Sequence, residues 1–104
     1  MAETQAAIDT LVQLLRNPRN GNAVRAAAAT GLGYAGGQQA THVLLEVFES
    51  FEYHIDIRAA VAEALGQIGG AEARIALIRA ATTHQYGPTI RAAAAIALGR
   101  ATLR

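Results

Sequence analysis

A repeat of 33 residues constrains this chain more than any other feature. Val24-Arg25-Ala26-Ala27, Ile57-Arg58-Ala59-Ala60 and Ile90-Arg91-Ala92-Ala93 recur at that interval, and the register carries on through Leu32-Gly33, Leu65-Gly66 and Leu98-Gly99. It also extends backwards. Leu11-Val12, Leu44-Leu45 and Leu77-Ile78 share one repeat position, and Ala7, Ala40 and Ala73 share another. Alanine makes up about a quarter of the residues; that enrichment yields an isolated match by chance, but not this many at one offset. A period of this length marks a supersecondary unit that cannot bury its apolar face alone, so that stacking of units builds the core. The 104 residues hold three such units, about 3–36, 37–69 and 70–104, in a single domain.

Within each unit the apolar spacing is helical. Val24, Ala27, Ala28, Gly31, Leu32 and Ala35 follow the i, i+3, i+4, i+7, i+8, i+11 pattern. So do Ile57, Ala60, Val61, Ala64, Leu65 and Ile68, and then Ile90, Ala93, Ala94, Ala97, Leu98 and Ala101. This is one face of a 3.6-residue helix, and strand alternation is absent. Leu11, Val12 and Leu15, then Leu44, Leu45 and Phe48, form the inner side of the preceding helices. The spacing predicts first helices over about 3–16, 38–51 and 71–83, and second helices over about 22–35, 55–68 and 88–102. Loops of about five residues force each pair antiparallel. Gly36-Gly37 and Gly69-Gly70 are expected to end second helices in the αL conformation. Pro88 suits a first helical turn, while Gly21, His54 and Gly87 are weak N-caps, so fraying is expected there.

The run Ile57-Arg58-Ala59-Ala60-Val61-Ala62-Glu63-Ala64-Leu65-Gly66-Gln67-Ile68-Gly69 resembles a HEAT-like repeat of the phycobilisome-lyase type. Pro88-Thr89-Ile90-Arg91 through Ala97-Leu98-Gly99 resembles it too, and the first unit matches more loosely, with Gly31 where alanine is usual. The resemblance implies an all-α superhelix: a right-handed solenoid of three helix hairpins, six helices in all. It is specific for fold and poor for function. Most proteins with such repeats look like scaffolds or adaptors, while the family name comes from subunits that attach or remove bilin chromophores. The related iron-binding HEAT-repeat hydroxylases carry His-Glu pairs. Here His42, His54 and His84 are followed by Val43, Ile55 and Gln85, so that activity is not implied.

Small residues form a second stripe on each second helix. Ala26, Ala29 and Gly33, then Ala59, Ala62 and Gly66, lie on the side away from the helix's own partner. A glycine inside a helix weakens it, so its recurrence implies close approach by the next unit. In the last helix the stripe reads Ala92, Ala95, Ile96, Gly99 and Leu103, with Ile96 where earlier units have Thr30 and Glu63. A helix apolar all round should be buried. This face is therefore a frayed end, part of a longer solenoid, or a docking face for a second copy or a partner, and an end-to-end dimer through it is expected.

Charge is uneven along the chain. Glu46, Glu49, Glu52, Asp56 and Glu63 face only Arg58 in the middle unit, whereas Arg74, Arg79, Arg91, Arg100 and Arg104 face only Glu72 in the last. The reading is a solvated face, with steering of a partner across the repeat boundary as the alternative. Arg25, Arg58 and Arg91 form a ladder whose stems cover apolar surface and whose heads bond loop carbonyls or Asp56. Phe51, Tyr53, His54 and Tyr86 gather in the intra-repeat loops as a candidate binding rim, unless the rings cap the ends of the helix pairs. Tyr34, Glu63, Gln67 and Arg100 lie on the exposed part of the second helices, which lines the concave face of such solenoids.

Several function classes fall away. There is no cysteine and no lysine, and Ser50 is the sole serine, without a spaced triad. A net charge of +1 argues against a nucleic-acid footprint, although the arginine ladder leaves DNA binding as a remote alternative. A metal site between His54 and His84 is disfavoured, since loop histidines stay solvated; no cofactor or metal is expected. Met1 to Arg16 lacks a basic segment followed by an apolar run, and no stretch reaches the roughly 18 apolar residues of a membrane span. The resulting expectation is a cytoplasmic, non-catalytic protein-interaction module whose partner is another protein or a second copy. A bilin-lyase or chromophore-protein chaperone subunit is the alternative that the resemblance carries.

Overall fold

The computed structural model describes residues 2–103. Met1 and Arg104, the latter counted above in the basic third unit, lie outside the described residues. Six α-helices are present among them: α1 (Ala2–Arg16), α2 (Asn22–Ala35), α3 (Gly37–Glu49), α4 (Ile55–Ile68), α5 (Gly70–Thr82) and α6 (Gly87–Ala101). A single 3-10 turn, His84–Tyr86, leads into α6. The helices pair as α1/α2, α3/α4 and α5/α6, and α4 packs between α2 and α6. The result is an α-solenoid two helix layers thick, with α2, α4 and α6 forming one layer. Its Cα atoms span 39 × 30 × 16 Å. The thin dimension suits two layers of helices about 8–10 Å apart.

The linkers explain the tight pairing. Gly36 alone joins α2 to α3, and Gly69 alone joins α4 to α5. Gly36 has φ 66° and ψ −165°, and Gly69 has φ 72° and ψ −156°. The αL expectation is corrected here. Positive φ is needed, but ψ lies near the extended value, a region open essentially to glycine only. One residue must close α2 and redirect the chain into α3, which a standard αL cap does not do. The N–H groups of Gly36 and Gly69 still donate to Leu32 and Leu65 carbonyls, at 3.0 and 2.9 Å. Weak capping is also corrected at one position. His54 Nδ1 accepts the Asp56 N–H at 3.0 Å, so α4 begins with a side-chain cap, whereas Gly21 gives α2 none.

Phe48, Leu15, Leu32, Leu44, Ile57, Leu65, Leu77 and Ile90 are fully buried, each contributing about 1.5–3 kcal/mol on transfer from water. Alanines fill the contacts between them, with Ala29, Ala40, Ala62, Ala73, Ala80 and Ala94 fully buried. A Cβ added to Gly33 would meet Ala64 Cβ at 2.8 Å, and one on Gly66 would meet the Ala97 carbonyl oxygen at 2.7 Å. The small-residue stripe is thus where successive pairs of helices touch. The expected core face of α2 is only partly core. Val24 is 47% exposed, although its equivalents Ile57 and Ile90 are fully buried; Ala27 and Ala35 are exposed as well. Burial on that flank comes from the preceding helix pair, and α2 has none beside it among the described residues.

Candidate interaction surface

Positions 30, 63 and 96 and positions 34, 67 and 100 stand four residues apart on α2, α4 and α6, so each pair shares a helix face. The fold brings them side by side. A small cleft is lined by Thr30, Tyr34, Glu63, Ala64, Gln67 and Arg100. It adjoins a cleft of about 310 Å3 with a floor of Ala59, Ala60, Ala93 and Ala97 and walls of Glu63, Ile96 and Arg100. Glu63 and Arg100 pair across it at 3.8 Å. Tyr34 is 75% exposed and Ile96 is 69% exposed, so two large apolar side chains stand in water near an exposed ion pair. The alanine floor follows from the close packing of these helices, since short side chains leave a hollow where longer ones would fill it.

Ile96 therefore has a second place besides the α6 flank expected for it. It lies on the cleft wall beside Glu63 as well as next to the flank of α6. Ala92, Ala95, Gly99 and Leu103 form that flank and are exposed, Leu103 by 88%. No atom lies within 4 Å of a Cβ built on Gly99.

The loop edge is largely committed to the fold. The Nε–H groups of Arg25, Arg58 and Arg91 donate to the carbonyls of Leu15, Phe48 and Ala81, each ten residues back, at 2.8, 3.2 and 3.0 Å. Arg58 Nη2 donates to the Phe48 carbonyl as well, at 2.9 Å. These carbonyls belong to helix ends, where backbone acceptors lack partners. Arg58 is only 5% exposed. Its guanidinium carbon lies 4.2 Å from the Phe51 ring centre and 5.4 Å from that of Tyr86, which favours the cation. Burial lowers its pKa from the ordinary arginine value, against the opposing attraction of Tyr86 and Glu49.

Tyr86, expected on the rim, is 8% exposed. Its ring lies 5.1 Å from Phe51 and 5.9 Å from Phe48, and its hydroxyl donates to Glu49 Oε2 at 3.0 Å. Burial, followed by the bond to Glu49, raises its pKa. It is a packed residue because Phe48 and Phe51 of the preceding pair close over it. Tyr53 is half-buried, with the Arg25 guanidinium 5.0 Å from its ring centre. Phe51 and His54 are exposed. The ladder and the rim, separate in the sequence, form one structure: Arg25 reaches Tyr53 as Arg58 reaches Tyr86, one repeat later.

Charged residues pair across the boundaries between helix pairs. Arg16 bonds Glu46, Arg79 bonds Glu49 at 3.3 Å, and His42 lies 3.8 Å from Glu72. The acidic middle segment thus meets basic groups of both neighbours, beyond the solvated face expected for it. A larger hollow of about 550 Å3 beside His42, Leu45, Glu46, Glu49 and Ser50 is broad and shallow.

Residues 8–99 match the family model for HEAT repeats. The chain belongs to the HEAT-repeat family. The match runs from within α1 to within α6 and so reaches all three helix pairs. HEAT repeats generally mediate protein–protein interaction or scaffolding. No curated protein sequence matches this HEAT-repeat chain. Among the described residues, no three His, Asp or Glu side chains are grouped to hold a metal ion, and no helix is long and apolar enough to cross a membrane. The Ala59, Ala60 and Ala93 floor and the place of Ile96 in the cleft wall do not follow from any single repeat; the 33-residue register of positions 30, 63 and 96 is the signal for both.

Proposed function

We propose that the chain is a non-catalytic interaction module, a scaffold or adaptor, that receives a protein on the surface of α2, α4 and α6. The observation that supports this reading is the juxtaposition of exposed Ile96 and Tyr34 with the Glu63–Arg100 pair on an alanine-floored cleft. Apolar anchors need a pocket, and a charged rim sets register. Helices α2, α4 and α6 hold these groups on a rigid layer, so binding costs little ordering. Tyr86 is excluded from the binding set by its burial, while Phe51 and His54 remain accessible at one edge.

A photo-reactive phenylalanine analogue at Gln67, compared with one at exposed Gln38 on α3, tests this. Irradiation in extract of the native host should give discrete adducts with a protein at position 67 and few at position 38. Equal labelling at both positions would reject the assignment of the face. The finer subtype, the phycobilisome-lyase kind of repeat, is supported by the run from Ile57 to Gly69. A bilin-binding subunit is the alternative that it carries. Co-expression with bilin synthesis distinguishes the two, since only that alternative gives a coloured protein.

A further inference from the structure

We infer that copies of this chain stack head to tail, the free flank of α6 seating on the free flank of α2 in the next copy. The inference rests on the interaction-module reading and names a second copy as one partner. It follows from an interface that the chain makes twice. Gly33 meets Ala64, and 33 residues later Gly66 meets Ala97. Asp9 bonds Gln39, and His42 approaches Glu72 in the same register. Arg16 pairs with Glu46, and Glu49 with Arg79. Arg25 lies over Tyr53, and Arg58 over Tyr86. One step therefore relates the first helix pair to the second and the second to the third.

A third application of that step places the first helix pair of a second copy against α6. It brings Gly99 against Gly31 of that copy, and Ile96, in the register of Glu63 and Arg100, against its Tyr34. Of these groups the single chain leaves Gly99, Ile96 and Tyr34 exposed. Gly99 has nothing within 4 Å of its Cβ position, whereas Gly33 and Gly66 are pressed by backbone atoms at less than 3 Å. In one copy a glycine at 99 only weakens the helix; in a stack it admits the neighbouring backbone. Ile96 and Tyr34, 69% and 75% exposed, are large apolar groups on the α2–α4–α6 surface, and the step makes them partners where Glu63 and Arg100 pair internally. Val24 lies on the receiving flank, and its equivalents Ile57 and Ile90 are fully buried. The remaining junction pairs, Ile75 with Ala6, Thr82 with Gln13 and Arg91 with Asn20, bring no like charges together. Such a contact joins two different faces, so it does not close on itself and grows into open rods.

The test uses the full chain and two variants, each blocked at one end: Gly99→Ala on α6 and Tyr34→Glu on α2. Both positions are exposed, and circular dichroism checks that each variant folds. Light scattering after size exclusion should show wild-type mass rising with concentration in steps of 10.8 kDa. Each variant alone should stay at the monomer mass. Mixed, they should give a 1:1 pair that grows no further, because each retains one intact end. A wild type that is monomeric from micromolar to millimolar concentration overturns the proposal. A dimer of Tyr34→Glu alone overturns it too, since that result requires a symmetric α6–α6 contact. Either outcome leaves the interaction-module reading standing, provided crosslinking at Gln67 captures a different protein. Rods that form while position 67 gives no such adduct fail that reading alone.

Discussion

One methyl group should have opposite effects at Gly66 and Gly99, although the two residues occupy the same repeat position. Replacing a helix-interior glycine by alanine gains about 1 kcal/mol of intrinsic helix stability. At Gly99 nothing stands within 4 Å of the new carbon, so Gly99→Ala should stabilise the isolated fold by about 0.5–1 kcal/mol. At Gly66 the new carbon lies 2.7 Å from the Ala97 carbonyl oxygen and 2.9 Å from its Cα and Cβ. Those atoms belong to the backbone of α6 or sit rigidly on it, so no rotamer change relieves the contact. Helix α6 must move outward and loosen its packing against α4. Overpacking of this kind costs about 1–3 kcal/mol, which leaves Gly66→Ala less stable than wild type by up to about 2 kcal/mol after the helical gain. For a domain of this size, about 4–8 °C of melting temperature corresponds to each kcal/mol. Thermal and urea melts should therefore place Gly66→Ala several degrees below wild type and Gly99→Ala several degrees above it. Measurement at high dilution keeps stacking out of the comparison. Gly33→Ala, with Ala64 atoms at 2.8 and 2.9 Å, should follow Gly66→Ala. If Gly66→Ala melts at or above the wild-type temperature, close helix approach is not what the glycines provide.

Three further outcomes test the packing around the site. Arg58→Ala removes the charged bonds to the Phe48 carbonyl and should cost about 3 kcal/mol in urea denaturation, from about 1.5–3 for a charge-assisted bond plus about 1 for the aromatic contacts. Arg58→Lys should recover little of that loss, because an ammonium cannot reproduce the planar two-donor geometry. Tyr86 has its pKa raised in the folded state, so its contribution to stability is complete below the unfolded value near 10 and is lost as pH rises through the folded value. Urea midpoints should fall above about pH 10 more steeply for wild type than for Tyr86→Phe, and equal slopes would refute the assignment. The Glu63–Arg100 pair is exposed, so Arg100→Ala should change stability by less than about 1 kcal/mol while weakening capture of a partner by a crosslinker at Gln67.

The helical layout was legible because periodicity and stacking report the same physics, and the observed helix bounds lie within two residues of those expected. The candidate site was less legible because burial depends on neighbours that a single repeat does not contain. Tyr53 and Tyr86 illustrate this, sharing a repeat position while only Tyr86 is enclosed. The difference lies one unit earlier: Phe48 and Phe51 precede Tyr86, where Leu15 and Pro18 precede Tyr53. Val24 and Ile57 differ for the same reason. Their local patterns agree, yet only Ile57 has a helix pair behind it. The charges follow this rule as well. Glu46 and Glu49 look like a solvated run along one helix, but their partners Arg16 and Arg79 come from the units on either side. In a stacked protein, then, the identity of a residue says how it packs within its own unit, and its fate is set by the unit one step away. Gly99 and Val24 show the rule at its limit: among the described residues neither has a unit one step away, and both are exposed.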